Sequence, residues 1–516
     1  MKPESLLRYI RISAAVPVII LFTFLFIDFS SMELRWLWRL PKIQIVPAII
    51  AGSILILVAL FTLTLLFGRI YCSVICPFGI LQDVIAKISG IGKKKNKRKK
   101  HSYSEPLNIL RYTVLAVFAL CVIVRFSPVP VWLDPYGNFG RIAKNIFGSV
   151  FALVNNSVAD ISGIRSLYHV DVSALSSVVF YVASIILAAI SVAVILRGRL
   201  FCNSLCPVGA LLSLISKHSI FKLKPNDNCN GCGLCSMRCK AQCIDNKNRT
   251  LDFSRCVACY NCIDVCNRKA IGYVPFWKSK DKTVKIVEKQ SDKIAGESYL
   301  MTKRDFFAAI TALIGTAITS RAQNEKKKPI YEKNYRITPP GSKSLKHFSG
   351  HCTACHLCVA QCPTGVLKPA FRQYGLAGFM MPVMDYEASF CNFECTLCSE
   401  ICPNNAIKRL TVEEKKRTQI GKVVFVRELC VVYNDETDCG ACSEHCPTKA
   451  VDMIPYKGSR IPEINPEICI GCGGCEYICP VRPLRAIYVE AETEHQQADL
   501  PETQEKKNIN LDGFGF

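Results

Sequence analysis

Between Cys229 and Cys266 eight cysteines fall in two runs, Cys229-x2-Cys232-x2-Cys235-x3-Cys239 and Cys256-x2-Cys259-x2-Cys262-x3-Cys266. Nothing else in the chain restricts its folding as much. Each run brings three thiolates close enough to hold one cubane and places a fourth where it serves the neighbouring cubane. The expected ligand sets are Cys229, Cys232, Cys235 and Cys266 for one [4Fe-4S] cluster, and Cys256, Cys259, Cys262 and Cys239 for the other. Such spacings belong to metal ligands and not to the disulfide framework of a small secreted domain. Lys240 and Asn267 stand where proline usually follows each run, which leaves the ligand count unchanged. Cys243 lies outside both sets, at a position suited to packing.

Sixteen further cysteines repeat the pattern downstream. Cys352-x2-Cys355-x2-Cys358-x3-Cys362-Pro363 is followed by Cys391-x3-Cys395-x2-Cys398-x3-Cys402-Pro403. A second pair reads Cys430-x8-Cys439-x2-Cys442-x3-Cys446-Pro447 and Cys469-x2-Cys472-x2-Cys475-x3-Cys479-Pro480. With the same crossing, Cys402 completes the first set, Cys362 the second, Cys479 the third and Cys446 the fourth. Six clusters are therefore expected on twenty-four of the 30 cysteines. Cys352-Thr353-Ala354-Cys355-His356 also reads as a haem c attachment signature, but haem there would strand Cys358 and Cys362.

The first two hundred residues are apolar, and four membrane spans are expected: Ile12 to Ile27, Ile43 to Gly68, Leu107 to Trp132 and Val172 to Leu196. Trp36 and Trp38 suit an interface, and no cleavage site follows the first span. The formal charge of +23 does not indicate nucleic acid, because Lys93 to Lys100 (KKKNKRKK) carries no interleaved aromatic residue. That run marks a cytoplasmic loop. Arg125 is read as snorkelling to the outer interface, and Cys121 as core. The segment from Asp134 to Asp171 is too polar to span, with Ile146 to Val154 placed along the membrane surface.

The second and fourth spans end in the same words, Gly68-Arg69-x-x-Cys72-x3-Cys76-Pro77-x-Gly79 and Gly198-Arg199-x-x-Cys202-x3-Cys206-Pro207-x-Gly209, offset by 130 residues. Each half is a helix pair followed by one motif, so both motifs reach the cytoplasmic face and Cys72, Cys76, Cys202 and Cys206 should converge. Four thiolates there can hold a further iron–sulfur centre, or cycle between thiol and disulfide beside a quinone. Arg69 and Arg199 can stabilise negative charge or anchor the interface. No proton acceptor stands out; Asp83 is the one named.

Domain boundaries follow from composition: a membrane domain at 1–220, a first cluster domain at 221–276, a basic linker at 277–304, a short apolar segment at 305–322, a second cluster region at 323–490 and a disordered polar tail at 491–516. Thr302-Lys303-Arg304-Asp305-Phe306-Phe307 and the uncharged run to Ser320 resemble a twin-arginine export signal inside the chain. Val423 to Arg427 and Ala486 to Val489 read as strands.

The duplicated Gly-Arg-x-x-Cys-x3-Cys-Pro-x-Gly motif, the four spans and the dicluster run that follows resemble the NapH-type membrane ferredoxins. From Arg336-Ile337-Thr338-Pro339-Pro340-Gly341 through Cys479 the chain is similar to NapG or MauM type ferredoxins. The resemblance implies an α-helical membrane domain with a two-fold internal repeat plus α+β ferredoxin-like dicluster domains. It further implies an inner-membrane quinol dehydrogenase that takes electrons from the quinone pool to a downstream redox protein or reductase. The first ferredoxin domain is then cytoplasmic and the C-terminal one periplasmic. A membrane copper-ion reductase and a redox sensor or maturation factor are the alternatives. No histidine pair is available to carry electrons through haem between the two sides.

Overall fold

The computed structural model describes residues 6–27, 35–91, 101–162, 178–275, 277 and 336–499. The lysine run at 93–100, the twin-arginine-like segment and the residues after 499 lie outside them. Residues 1–274 and 335–516 form one unit and 275–334 another.

Among the described residues two helices are long and apolar enough to cross a membrane, α1 (Leu6–Phe26) and, in the second half, the helix Val178–Arg197. The other two expected spans are interrupted. The run from Ile43 to Gly68 breaks at Gly52, whose φ of 71° closes α2 (Ile45–Ala51) before α3 (Ile54–Phe67) begins. The chain doubles back there: Ile45 N, at the start of α2, donates to the hydroxyl of Tyr71, just beyond the end of α3. A short α4 (Tyr71–Val74) and α5 (Pro77–Ile88) follow. The third expected span stops at Ile123; α6 (Asn108–Ile123) ends where Arg125 takes φ 57° and Pro128 opens α7 (Pro128–Leu133).

The polar segment after Asp134 does not start on a surface. Every residue of α8 (Pro135–Ile142) is buried. Several of its polar groups find partners within the fold, as burial demands. Asp134 caps the helix by accepting from Tyr136 N and Gly137 N, both at 3.0 Å, and Arg141 donates to Val131 O and to Asn138 Oδ1 at 2.6 and 2.7 Å. Phe22 and Phe26 of α1 pack against Tyr136 and Phe139. A π-helical turn, Ala143–Phe147, leads into α9 (Gly148–Ser162), and the second half closes with α10 (Val178–Arg197), α11 (Leu200–Ser204) and α12 (Pro207–Ser216).

The cluster regions are small α+β units. In the first, β1 (Phe221–Pro225) pairs with β4 (Ile271–Pro275) and encloses the short antiparallel pair β2 (Ile244–Asp245) and β3 (Thr250–Leu251). One-turn helices α13 (Leu234–Arg238) and α14 (Asn261–Val265) follow the cysteine loops. The middle unit carries β5 (Leu367–Pro369) against β6 (Pro382–Met384). In the last, β7 (Thr418–Phe425) and β10 (Ile487–Gln497) enclose the hairpin of β8 (Val451–Tyr456) and β9 (Ser459–Ile464). The expected disordered tail is thus corrected: Ala491 to Gln497 is strand. Thr493, Glu494, Gln496 and Gln497 are exposed, while Ile487, Val489 and Ala498 are buried.

Helix α1 joins the two cluster regions. At its start Arg8 pairs with Asp264 and Arg11 with Asp83; at its end Leu25 O accepts from Gln361 Nε2 at 2.9 Å. Its 21 residues span about 30 Å.

Candidate iron–sulfur and quinol site

In four of the runs the residues on both sides of the second cysteine have positive φ: Gly231 and Gly233, Ala258 and Tyr260, Ala354 and His356, Gly471 and Gly473. These steps curl the backbone so that N–H groups face an enclosed anion. Left-handed geometry costs a non-glycine residue roughly 1–2 kcal/mol. Packing offsets it, with Ala258 and Ala354 fully buried. The His356 ring is held at both nitrogens, Nε2 donating to Met380 O at 2.9 Å and Nδ1 accepting from Asn145 Nδ2 at 3.2 Å. Burial pushes it down to about 3, so it is neutral, and with both nitrogens engaged it is not placed as a haem ligand.

The chain brings the cysteines together in the crossed sets. Cys229, Cys232, Cys235 and Cys266 line a cavity of about 220 Å³. Cys239 stands with Cys256, Cys259 and Cys262, and Cys402 with Cys352, Cys355 and Cys358. Cys362 joins Cys391, Cys395 and Cys398; Cys479 joins Cys430, Cys439 and Cys442; Cys446 joins Cys469, Cys472 and Cys475. Among the described residues no three His, Cys, Asp or Glu side chains close on a single ion. Cubane ligands each bind a different corner iron and stand farther apart than that. Burial, aided by neighbouring sulfurs, lifts the Cys355, Cys442 and Cys472 thiols to about 12. Thiols so reluctant to ionise alone become thiolates when iron supplies the compensating charge, so the donor sets fit the cluster.

The duplicated motifs close on each other. Gly68 and Gly198, with φ 76° and 66°, end the preceding helices where the first ferredoxin unit approaches; a Cβ would lie 2.5 Å from the Phe253 ring at Gly68 and 2.3 Å from Lys240 O at Gly198. Each arginine crosses to the other motif: Arg199 Nη1 donates to Cys72 O at 2.8 Å and Arg69 Nη2 to Cys202 O at 3.0 Å. Cys76 and Cys206 sit in extended geometry before a helix that opens with proline. Gly79 and Gly209 leave no room for a Cβ, which would meet Cys72 O at 2.1 Å and Cys202 O at 2.0 Å. Gly209 N points at Cys206 Sγ, 3.4 Å away, and Gln82 Nε2 at Cys202 Sγ, 3.3 Å away.

All four cysteines and both arginines are buried. Sequence reading missed Arg111, buried and donating to Gly209 O and Ser254 O at 3.3 and 3.2 Å. Three buried arginines around four thiols suit an anionic centre. Asp83 lies in an ion-pair network beside the motifs. Burial alone would raise its carboxyl; Arg199, Lys240 and Arg11 outweigh burial and hold it far below the usual carboxylate range. It stays charged and ties α1, α5 and the first ferredoxin unit together. Beside it opens a cavity of about 990 Å³, with Ala15, Val84 and Ile195 on its apolar side and Arg11, Asp83 and Lys240 on its charged side.

Comparison with known proteins agrees with this chemistry. A 4Fe-4S binding domain matches residues 50–99 and again 179–226, one copy per motif. Two 4Fe-4S dicluster domains match residues 252–366 and 437–482. The methylamine utilization ferredoxin-type protein MauM of Methylorubrum extorquens is 30% identical over 189 residues, 35% of this chain and 82% of MauM. The ferredoxin-type protein NapF of Escherichia coli is 29% identical over 157 residues, 30% of this chain and 87% of NapF. An uncharacterized protein of Methanocaldococcus jannaschii is 26% identical over 226 residues, 43% of this chain and 79% of its own length. No solved structure matches the chain. Carrying multiple [4Fe-4S] clusters, the chain belongs to the ferredoxin-type family of iron–sulfur electron-transfer proteins that MauM represents.

Proposed function

We propose that the chain is a membrane-bound quinol dehydrogenase module, a NapH-type membrane domain fused to a NapG/MauM-type ferredoxin, that delivers electrons to an external reductase. Its crossed cysteine sets hold six [4Fe-4S] clusters, and Cys72, Cys76, Cys202 and Cys206 hold a further iron–sulfur centre. Such centres supply one-electron carriers whose potentials follow burial and hydrogen bonding. The residues of this chain shape where the donor sits. The headgroup occupies the cavity beside Asp83, its isoprenoid tail runs along Ala15, Val84 and Ile195, and Arg11 and Lys240 donate to its oxygens. The observation that carries this reading is that cavity, opening beside two interlocked copies of one cysteine motif.

Membrane insertion is supported by the outward sides of α1, α3, α6 and α10, where Ile20, Leu55, Ile109, Leu120 and Ile185 lie open, more apolar surface than water tolerates on a folded protein. With the first ferredoxin unit at one end of α1 and the second at the other, the first is cytoplasmic and the second periplasmic in an inner membrane. Mixing the anaerobic full chain with a menaquinol analogue tests the function. Bleaching of the iron–sulfur absorption, a band near roughly 400 nm, is expected for wild type and not for Cys72→Ala or Cys202→Ala, whose remaining clusters still respond to dithionite. Wild type that dithionite bleaches and quinol does not would discard the dehydrogenase in favour of a metal-ion reductase or a redox sensor.

A further inference from the structure

Two cysteine groups near opposite ends of α1 share one core. Cys72, Cys76 and Cys206 belong to the same contiguous cluster of buried side chains as Leu357, Ile401, Tyr136 and Phe139, with Cys355 and Cys358 packed against it. Helix α8 fills the interval. Its Gly140 is pressed so closely on the cluster loop that a Cβ would lie 2.3 Å from Cys355 O, and at Gly137 a Cβ would lie 3.0 Å from Thr353 O. Helix α8 also packs against α5, the helix that begins directly after Cys76. Tyr71, whose hydroxyl donates to Gln44 Oε1 at 2.7 Å, lies beside Cys72 and Cys76 and within electrostatic reach of Asp134. Asp134 in turn reaches Cys355. The buried Tyr136 hydroxyl has no hydrogen-bond partner among the described residues and faces the group of Cys355, Cys358 and Cys402. Among the described residues no helix from α1 to α12 contains a histidine.

We propose that α8 and Tyr71 form an electron bridge across the apolar layer, joining the Cys72/Cys76/Cys202/Cys206 centre directly to the Cys352/Cys355/Cys358/Cys402 centre. One electron leaves the first and enters the second, and no atom or proton moves with it. The bridge rests on the iron–sulfur electron-transfer reading and not on the quinol step.

The test uses the full chain in sealed liposomes, with reduced anthraquinone disulfonate outside as impermeant donor and ferricyanide inside as impermeant acceptor. Wild type is expected to reduce the trapped ferricyanide. Cys202→Ser should abolish transfer, and Gly140→Leu, which pushes the Cys355 loop off α8, should slow it at least about tenfold, the scale that small misplacements of reacting groups produce. Iron per chain and the signals of the other clusters serve as controls in both variants. Independently of any variant's folding, paramagnetic resonance of dithionite-reduced wild type should show magnetic broadening between the two centres. Undiminished transfer in Cys202→Ser, transfer in wild type no faster than in protein-free liposomes, or the absence of that broadening would overturn the bridge. Quinol bleaching without transmembrane transfer removes the bridge alone, and transfer without quinol bleaching removes the quinol reading alone.

Discussion

A ligand sulfur takes its electronic character from what donates to it. Spacing assigns Cys243 to packing, and it is indeed buried, but its Sγ lies 3.5 Å from that of Cys239. The hydrogen bond from Cys243, joined by nearby backbone N–H groups and working against burial, sets the Cys239 thiol down at about 7. A donor at a ligand sulfur favours the more negative reduced cluster. Cys243→Ala is therefore expected to lower the potential of the cluster on Cys239, Cys256, Cys259 and Cys262, by something on the order of tens of millivolts. A redox titration followed by paramagnetic resonance reads this, and an unmoved potential would return Cys243 to packing alone. Lys415 makes the same kind of contact with Cys391 from a buried position. Sequence could not single it out, since within Glu413, Glu414, Lys415 and Lys416 it looks like one more solvated charge; only the turn of its helix carries it inward.

At the level of elements, the twelve-residue motif was legible as a repeat but not as a mechanism of closure. Which arginine serves which cysteine loop depends on the two copies facing each other, and nothing local encodes that. The interrupted spans were illegible for a similar reason: α2 and α3 are apolar without a break, and only the left-handed turn at Gly52 divides them. Polar α8 read as too hydrophilic to enter a core because its partners, Asp134 capping its start and Arg141 bonded to Val131 O, are supplied by the fold. Strand β10 was cut short at Ala491 because alternation with charged residues resembles a tail. Its far end is clamped by His495, whose Nε2 lies 2.8 Å from Thr338 Oγ1 and whose N–H donates to Lys343 O at 2.7 Å. Burial lowers the His495 ring to about 4, so the closed strand keeps it neutral while a released strand takes up a proton below about pH 6.5. The clamp is thus at full strength above that pH and weakens as pH falls toward 4. By pH 5.5 the loss amounts to about 1 kcal/mol. Hydrogen exchange of residues 489–497, corrected for intrinsic rate, is expected to accelerate relative to the rest of β7 and β10 from pH 7.5 to 5.5, and His495→Gln to flatten that dependence. Equal pH response in the variant would show that the ring is not the clamp.

For the whole molecule the decisive residue is the buried carboxylate beside the motifs, Asp83. Asp83 receives Arg199 at 2.8 Å, Arg11 at 2.6 Å and Lys240 at 3.1 Å, so one side chain holds the second motif, the first helix and the first ferredoxin unit to α5. Its repeat counterpart is Ser213, which is why the symmetry that predicts the converging cysteines says nothing of this junction. Arg69, the partner of Arg199 by symmetry, bonds instead to the neutral Asn203 at 2.9 Å. The asymmetry leaves a charged wall on one flank of the paired motifs, the flank where the large cavity opens. Asp83→Asn would keep the size of the side chain and strand three cations, two of them buried arginines. Breaking such a group from one side costs about 3–5 kcal/mol. The consequence should be local: α1 loses its tie to α5, Lys240 is released, and the cavity loses the wall that orients a polar headgroup. Asp83→Asn is thus expected to retain the clusters of the C-terminal units and their reduction by dithionite, while quinol bleaching slows and protease reaches the 221–275 unit sooner. Arg11→Met in the same background, by removing one stranded cation, should recover part of the lost stability without restoring quinol bleaching. Were Asp83→Asn to bleach with quinol at the wild-type rate while showing the stability loss, Asp83 would be a structural tie alone and the donor's headgroup would have to lie elsewhere.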